Sequence, residues 1–250
     1  MKKNFRHCLA IAALLASLSA QADFNAGLQA IGRRDYAAAL KAFKPLAEQG
    51  NAAAQVNLGN LYMKGLGVEQ NYPLALDWYR RAAEQGERMA QSKLGILYYH
   101  GLGTGKDPAE AARWFEKAAG QGVTAAQAIL GSLYAAGDGV PQDLARAYYW
   151  YTLAEEQGDP EGAKGRKSLE EDMTPGQKDE ASKLMAETRK RRGEEDEKAF
   201  EASTAGLGTP PKPPTGEAKA KAKPDSPQAK KPASKPGGKP ETAKPKASPP

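Results

Sequence analysis

Ala54-Gln55-Val56-Asn57-Leu58-Gly59-Asn60-Leu61-Tyr62-Met63-Lys64-Gly65-Leu66-Gly67, followed by Ala75-Leu76-Asp77-Trp78-Tyr79, decides the fold, because the chain writes this pattern three times. Leu58-Gly59 returns as Leu94-Gly95 and Leu130-Gly131, Tyr62 as Tyr98 and Tyr134, and Trp78 as Trp114 and Trp150. Each copy lies 36 residues after the last, and these are the only three tryptophans. A constant interval of this size marks one supersecondary unit copied along the chain. Function then has to be sought on surfaces rather than in a single deep pocket.

Within a unit, Ala54, Leu58, Leu61 and Tyr62 fall on one face of a helix, since side chains recur every 3.6 residues. Gly59 lies in that face, where a missing side chain lets a neighbouring helix approach; in an isolated helix it would cost about 1 kcal/mol. Gly65-Leu66-Gly67 follows and recurs as Gly101-Leu102-Gly103 and Gly137-Asp138-Gly139. Such pairs suit the left-handed backbone that ends a helix and reverses the chain. No strand precedes them and no Gly-Lys-Ser/Thr follows, so a phosphate loop is not implied. Ala75, Trp78, Tyr79, Ala82 and Ala83 form the apolar face of a second helix, closed by Gly86 as its copies are by Gly122 and Gly158. The tryptophans share one register, so each is expected to bury on the order of 200 Å² between helices as a structural residue rather than part of a ligand box.

The ends of the chain differ from its middle. Lys2, Lys3 and Arg6 precede the apolar run Cys8 to Ala20, and Ala20-Gln21-Ala22 supplies a small-x-small site. This predicts a cleaved export signal over 1–22, since the apolar run is too short for a span of roughly 20 residues. Cleavage removes Cys8, the one cysteine, so the mature chain would hold no disulfide and no integral membrane segment. From 204 to 250 the chain is almost entirely Lys, Pro, Ala, Ser, Thr and Gly without an aromatic residue, a composition that predicts disorder. Ten lysines there face only Glu217, Asp225 and Glu241, a net +7. The signal adds +3, so a whole-chain charge of +6 leaves residues 23–203 at −4. The basic character belongs to the tail. Without aromatics for base stacking, it suits an anionic envelope polymer or a membrane surface better than nucleic acid; a solvated spacer that binds nothing is the plainer reading.

The pattern Ala-Gln-x-x-Leu-Gly-x-Leu-Tyr, Gly-x-Gly, Ala-x-x-Trp-Tyr/Phe-x-x-Ala closely resembles the Sel-1-like repeat (SLR), a relative of the tetratricopeptide repeat. Three units match, about 52–87, 88–123 and 124–159. Residues 23–51 resemble a shorter tetratricopeptide-like unit in which Ala42 replaces the tryptophan. The third unit departs at Glu155, where its siblings have Ala83 and Ala119. Arg166 and Lys167 occupy the Leu-Gly register after the third copy, so residues 160–203 are expected to form a helical cap instead of another unit. Thr174-Pro175-Gly176-Gln177 reads as a capping box at the start of a cap helix. The resemblance implies an all-α, right-handed α-solenoid of helix–turn–helix repeats with a disordered C-terminal tail.

It also implies a binding surface. In tetratricopeptide proteins the first helix of each pair lines the concave side. Carried over by position, that side holds Ala53, Val56, Asn60, Met63 and Lys64, then Met89, Ser92, Ile96, Tyr99 and His100, then Ala125, Ala128, Ser132, Ala135 and Ala136. These positions vary between copies while the packing positions do not. Met63, Met89, Ile96 and Tyr99 form the best anchor for a peptide or a partner's helix, with the alanines as a shallow floor beside them. Alternatively these side chains meet a flanking helix of the same chain. His100 is the one histidine after cleavage, too little for a metal site or a hydrolytic triad. No cofactor and no catalytic residue is expected. The reading is an exported, periplasmic or secreted, non-enzymatic adaptor with a protein partner; an envelope-polymer binder or a secreted host-binding effector is the alternative.

Overall fold

The computed structural model describes residues 19–204. The tail expected at 204–250 lies outside them except for Thr204, and so does the signal expected at 1–22 except for 19–22. The described chain is a succession of ten helices: α1 (residues 19–32), α2 (Tyr36–Glu48), α3 (Ala52–Lys64), α4 (Tyr72–Glu84), α5 (Arg88–His100), α6 (Pro108–Gly120), α7 (Thr124–Ala136), α8 (Leu144–Glu156), α9 (Pro160–Asp172) and α10 (Pro175–Thr204). No strand occurs among the described residues. The fold is an all-α solenoid, in which α3–α4, α5–α6 and α7–α8 are the three 36-residue pairs.

Each turn is built the same way. Gly65, Gly101 and Gly137 end the first helices in left-handed backbone, with φ of 65°, 70° and 73°. The chain then returns so that the N–H groups of Asn71, Asp107 and Asp143 donate to the carbonyls of Tyr62, Tyr98 and Tyr134, all at 2.9 Å. The side chains of those same three residues cap the second helices, accepting from Leu74, Glu110 and Arg146 N–H groups at 2.9 Å. One residue therefore closes the turn and starts the next helix, as an N-cap does by accepting an orphan donor.

The second glycine of each turn has another task. A Cβ on Gly67 would lie 2.7 Å from the backbone of Tyr36, and one on Gly103 would lie 2.5 Å from that of Tyr72; Gly139 presses on Pro108 in the same way. Residues 36, 72 and 108 begin the second helices of the preceding units. These glycines are where one unit's turn docks onto its predecessor.

The aromatic pair of each second helix divides its work in a way the expectation for the tryptophans did not foresee. Tyr79 and Phe115 are 1% exposed and lie over Gly59 and Gly95 of their own units; Tyr151 lies over Gly131 in the same way. The tryptophan one residue earlier turns towards the preceding unit instead. Trp78 packs on the α2–α3 core and Trp114 on the α4–α5 core. Trp114 is 8% exposed, whereas Trp78 and Trp150 are only half-buried. Adjacent helical residues point about 100° apart, so one faces the partner helix and the other the seam.

The same device reaches back into the first pair. Gly27 of α1 receives the ring of Phe43 of α2, 36 residues before Tyr79, and Phe24 stacks against Phe43 at 5.6 Å between centroids. The first unit is thus built on a glycine–aromatic contact although it lacks the tryptophan. At the other end, α9 keeps the thirteen-residue length but carries Gly162, Gly165 and Arg166 in its packing stripe. Gly165 accepts the far side of Tyr151, and Arg166 pairs with Glu155 while donating to Tyr148 Oη at 3.2 Å. The departures at 155 and 166 are one ion pair. Helix α10 then crosses α8, with Ala181, Met185 and Thr188 buried and Tyr149 Oη 2.8 Å from Thr188 Oγ1. Both arms of the Thr174–Gln177 capping box are formed, at 2.9 Å and 3.3 Å.

Candidate functional site

Beneath the variable residues runs a ladder that sequence reasoning overlooked. Gln55, Gln91 and Gln127 are buried near the start of each first helix. Their amide nitrogens donate to the carbonyls of Ala47, Ala83 and Ala119 in the preceding second helix, at 3.0, 3.2 and 3.1 Å. Their amide oxygens accept from Gln85, Gln121 and Gln157, at 2.8, 2.8 and 2.6 Å. Each buried glutamine therefore ties three helices across a unit boundary. The signal was visible, since Gln55, Gln91 and Gln127 keep the 36-residue interval. Its meaning was not, because a polar residue at a packing position declares itself only when its partners are known. These amides tie each first helix to the second helices on either side of it.

On that face the expected residues separate into three groups. Ser92 is 5% and Ala128 9% exposed, so Ser92 belongs to the packing and offers no free surface. Val56 and Met63 rest partly on the α4–α5 core, and Ile96 and Tyr99 on the core that begins with α6 and α7. Three members of the expected four-residue anchor are thereby partly spent on packing, and Met89, at 45% exposure, stands clear. Asn60 is half-buried and holds Tyr79 Oη at 2.8 Å. Lys64, His100 and Ser132 are exposed.

The open space lies further along, between α7 and α9. There a cleft of about 560 Å³ has Ala125, Ala128, Ser132 and Ala135 on one wall and Lys164, Gly165, Ser168 and Leu169 on the other, with Tyr151 at its base. The reason is local. In α9, Ser168 leaves unfilled the room that a larger side chain would close, while Gly165 lets the Tyr151 ring come up against the helix. Asp159 and Glu161 sit at its rim, Asp159 being engaged as the cap that accepts from Gly162 N–H at 2.8 Å. Among the described residues no group of three or more His, Cys, Asp or Glu is placed to hold a metal ion. No described helix is long and apolar enough to cross a membrane.

The Sel1 repeat model matches residues 52–87, 88–123 and 124–159, the same three pairs that the glycine–aromatic contacts and the glutamine ladder delimit. Residues 52–159 are an array of three Sel-1-like repeats. A Sel1 repeat protein from Oxalobacter formigenes is similar at 39% identity and a TM-score of 0.53, over 54% of this chain and 56% of that one. An SLR-fold protective antigen present in uropathogenic Escherichia coli strains is similar at 28% identity and a TM-score of 0.49, over 80% of this chain and 50% of that one. The chain thus spans about half the length of either structure. No curated protein matches it. Sel1 repeats are in general a protein-interaction scaffold rather than a catalytic fold, which makes the first-helix face the natural candidate in this Sel1 array.

Proposed function

We propose that this Sel1 protein is a non-enzymatic adaptor or scaffold of the bacterial envelope, which binds a peptide or helix of a protein partner on its concave, first-helix face. The observation that carries the reading is the α7–α9 cleft, an open, alanine-floored space on the face whose residues vary between copies. Apolar pockets of roughly 300–1,000 Å³ accept a bulky side chain with little rearrangement. The exported location rests on residues 1–22, and the protein class of the partner rests on the family.

A photo-crosslinking residue placed at Ser132 should capture a polypeptide in living cells, recovered in the osmotic-shock fraction. The same probe at Arg113, a second-helix position with its side chain 76% exposed, should not. Equal capture from both positions would remove the first-helix face from consideration. Recovery of the protein only in the cytoplasm would remove the envelope.

A separate attachment through residues 204–250 is favoured by their ten lysines against three carboxylates. Removing those residues should abolish binding to anionic polymer or vesicles and leave crosslinking at Ser132 unchanged.

A further inference from the structure

The first-helix face carries one place where polar groups of a single kind gather without a counterpart. Lys93 of α5 is partly buried, with its amine 5.9 Å from the centre of the Tyr79 ring. Tyr79 in turn donates its hydroxyl hydrogen to Asn60 Oδ1 at 2.8 Å, which leaves the Asn60 amide hydrogens unused. Lys64, at the end of α3, is close enough to act on Lys93 as a like charge. Among the described residues neither lysine makes an ion pair. The nearby carboxylate is Glu87, which is occupied as the cap of α5, accepting from Ala90 N–H at 2.7 Å. Burial first, and Lys64 second, hold the Lys93 amine below its ordinary range.

Asn60 and Lys93, from two neighbouring first helices, therefore both meet Tyr79, with Lys64 near enough to act on Lys93 and no free carboxylate beside them among the described residues. Half-burying a cation is costly unless it is paired, so this cluster is built for an anion that it does not itself supply. The surroundings say which kind. Val56 and Met63 lie half-buried beside it and Met89 is exposed, a thioether-rich border that suits an apolar side chain and gives a small inorganic anion nothing to touch.

We propose that Lys64, Lys93 and Asn60 receive the side-chain carboxylate of an acidic peptide segment of the protein partner, with an apolar neighbour of that acid packed on Met89. The inference rests on the interaction role argued above and adds the chemistry of the ligand. Peptide, Lys64 and Lys93 would form a charge-assisted set, stronger than neutral hydrogen bonds.

The test is selection of random peptides displayed on phage, fused through their C-termini so that only side-chain carboxylates are free, against the full chain. Wild type should enrich peptides carrying Asp or Glu next to an apolar residue. Lys64→Met/Lys93→Met, which keeps the stems but removes the charges, should lose that acidic preference and bind the selected peptides at least tenfold more weakly. The same variant should melt at a temperature no lower than wild type, because a half-buried charge without a carboxylate partner has been removed; a binding loss with a lowered melting temperature would indicate a structural lysine and overturn the proposal. Enrichment without acid preference, blocked by Ser132→Trp, would overturn the acid site and leave the interaction role standing. No enrichment at all would overturn both.

Discussion

Tyr79 lies against Gly59 so closely that a Cβ at position 59 would sit 2.7 Å from the ring. The ring is held there, since it is 1% exposed and its hydroxyl is tied to Asn60. Helix propensity alone favours alanine over glycine by about 1 kcal/mol. Contact overrules it, because overpacking a close-packed helix seam costs roughly 1–3 kcal/mol. Gly59→Ala should therefore lower the urea midpoint. Gly120→Ala, at the open last position of α6 where a Cβ meets nothing, should leave it unchanged or raise it. A stabilised Gly59→Ala would mean that the α3–α4 seam is loose.

The docking of one unit on the next can be separated from backbone strain. Gly103 and Gly86 both have positive φ, 77° and 88°, but only Gly103 meets a neighbour, at 2.5 Å from the Tyr72 backbone. Alanine at either position pays about 1–2 kcal/mol for the left-handed conformation. Gly103→Ala should lose clearly more than Gly86→Ala in chemical denaturation, and the excess measures the junction. Equal losses would show that the turn can slide away from α4.

Gln127→Leu keeps the approximate volume but deprives the Ala119 carbonyl and the Gln157 amide of their partner. A buried polar group left unmade costs about 1–3 kcal/mol. The variant should unfold earlier by that amount, and hydrogen exchange should rise at the α6–α7 boundary before it rises within α3. A neutral Gln127→Leu would mean that packing alone joins the units.

Burial holds the Tyr79 hydroxyl above its ordinary range. In the unfolded chain it ionises near pH 10, the ordinary value of a tyrosine, while the folded chain keeps the proton. The stabilisation is thus complete below pH 10 and is lost as pH rises from there through the folded value. Tyr79→Phe, the residue already used at Phe115, should cost about 0.5–1.5 kcal/mol at pH 7 for the Asn60 bond. It should also reduce the fall in stability measured between pH 10 and 12. An unchanged alkaline slope would show that Tyr79 is not the group responsible.

Much of this molecule was legible before any coordinates. Periodicity gave the number of pairs and the placement of every turn glycine, and the departures at Glu155 and Arg166 marked where the array stops. These features depend on local backbone preference and on a repeated interval, which a linear text displays. Three others do not. Tyr79 rather than Trp78 fills the seam within a unit, because the facing angle of two helices chooses between neighbours only about 100° apart. Gln55, Gln91 and Gln127 show their interval in the sequence but not their role, which needs the carbonyls eight residues earlier to come alongside. The alanine floor of α7 becomes a cleft only because α9, a helix outside the three repeats, supplies the second wall with Ser168 and Leu169. Local sequence sets what each segment is. Contacts between segments distant in the chain set which of its faces remains for a partner.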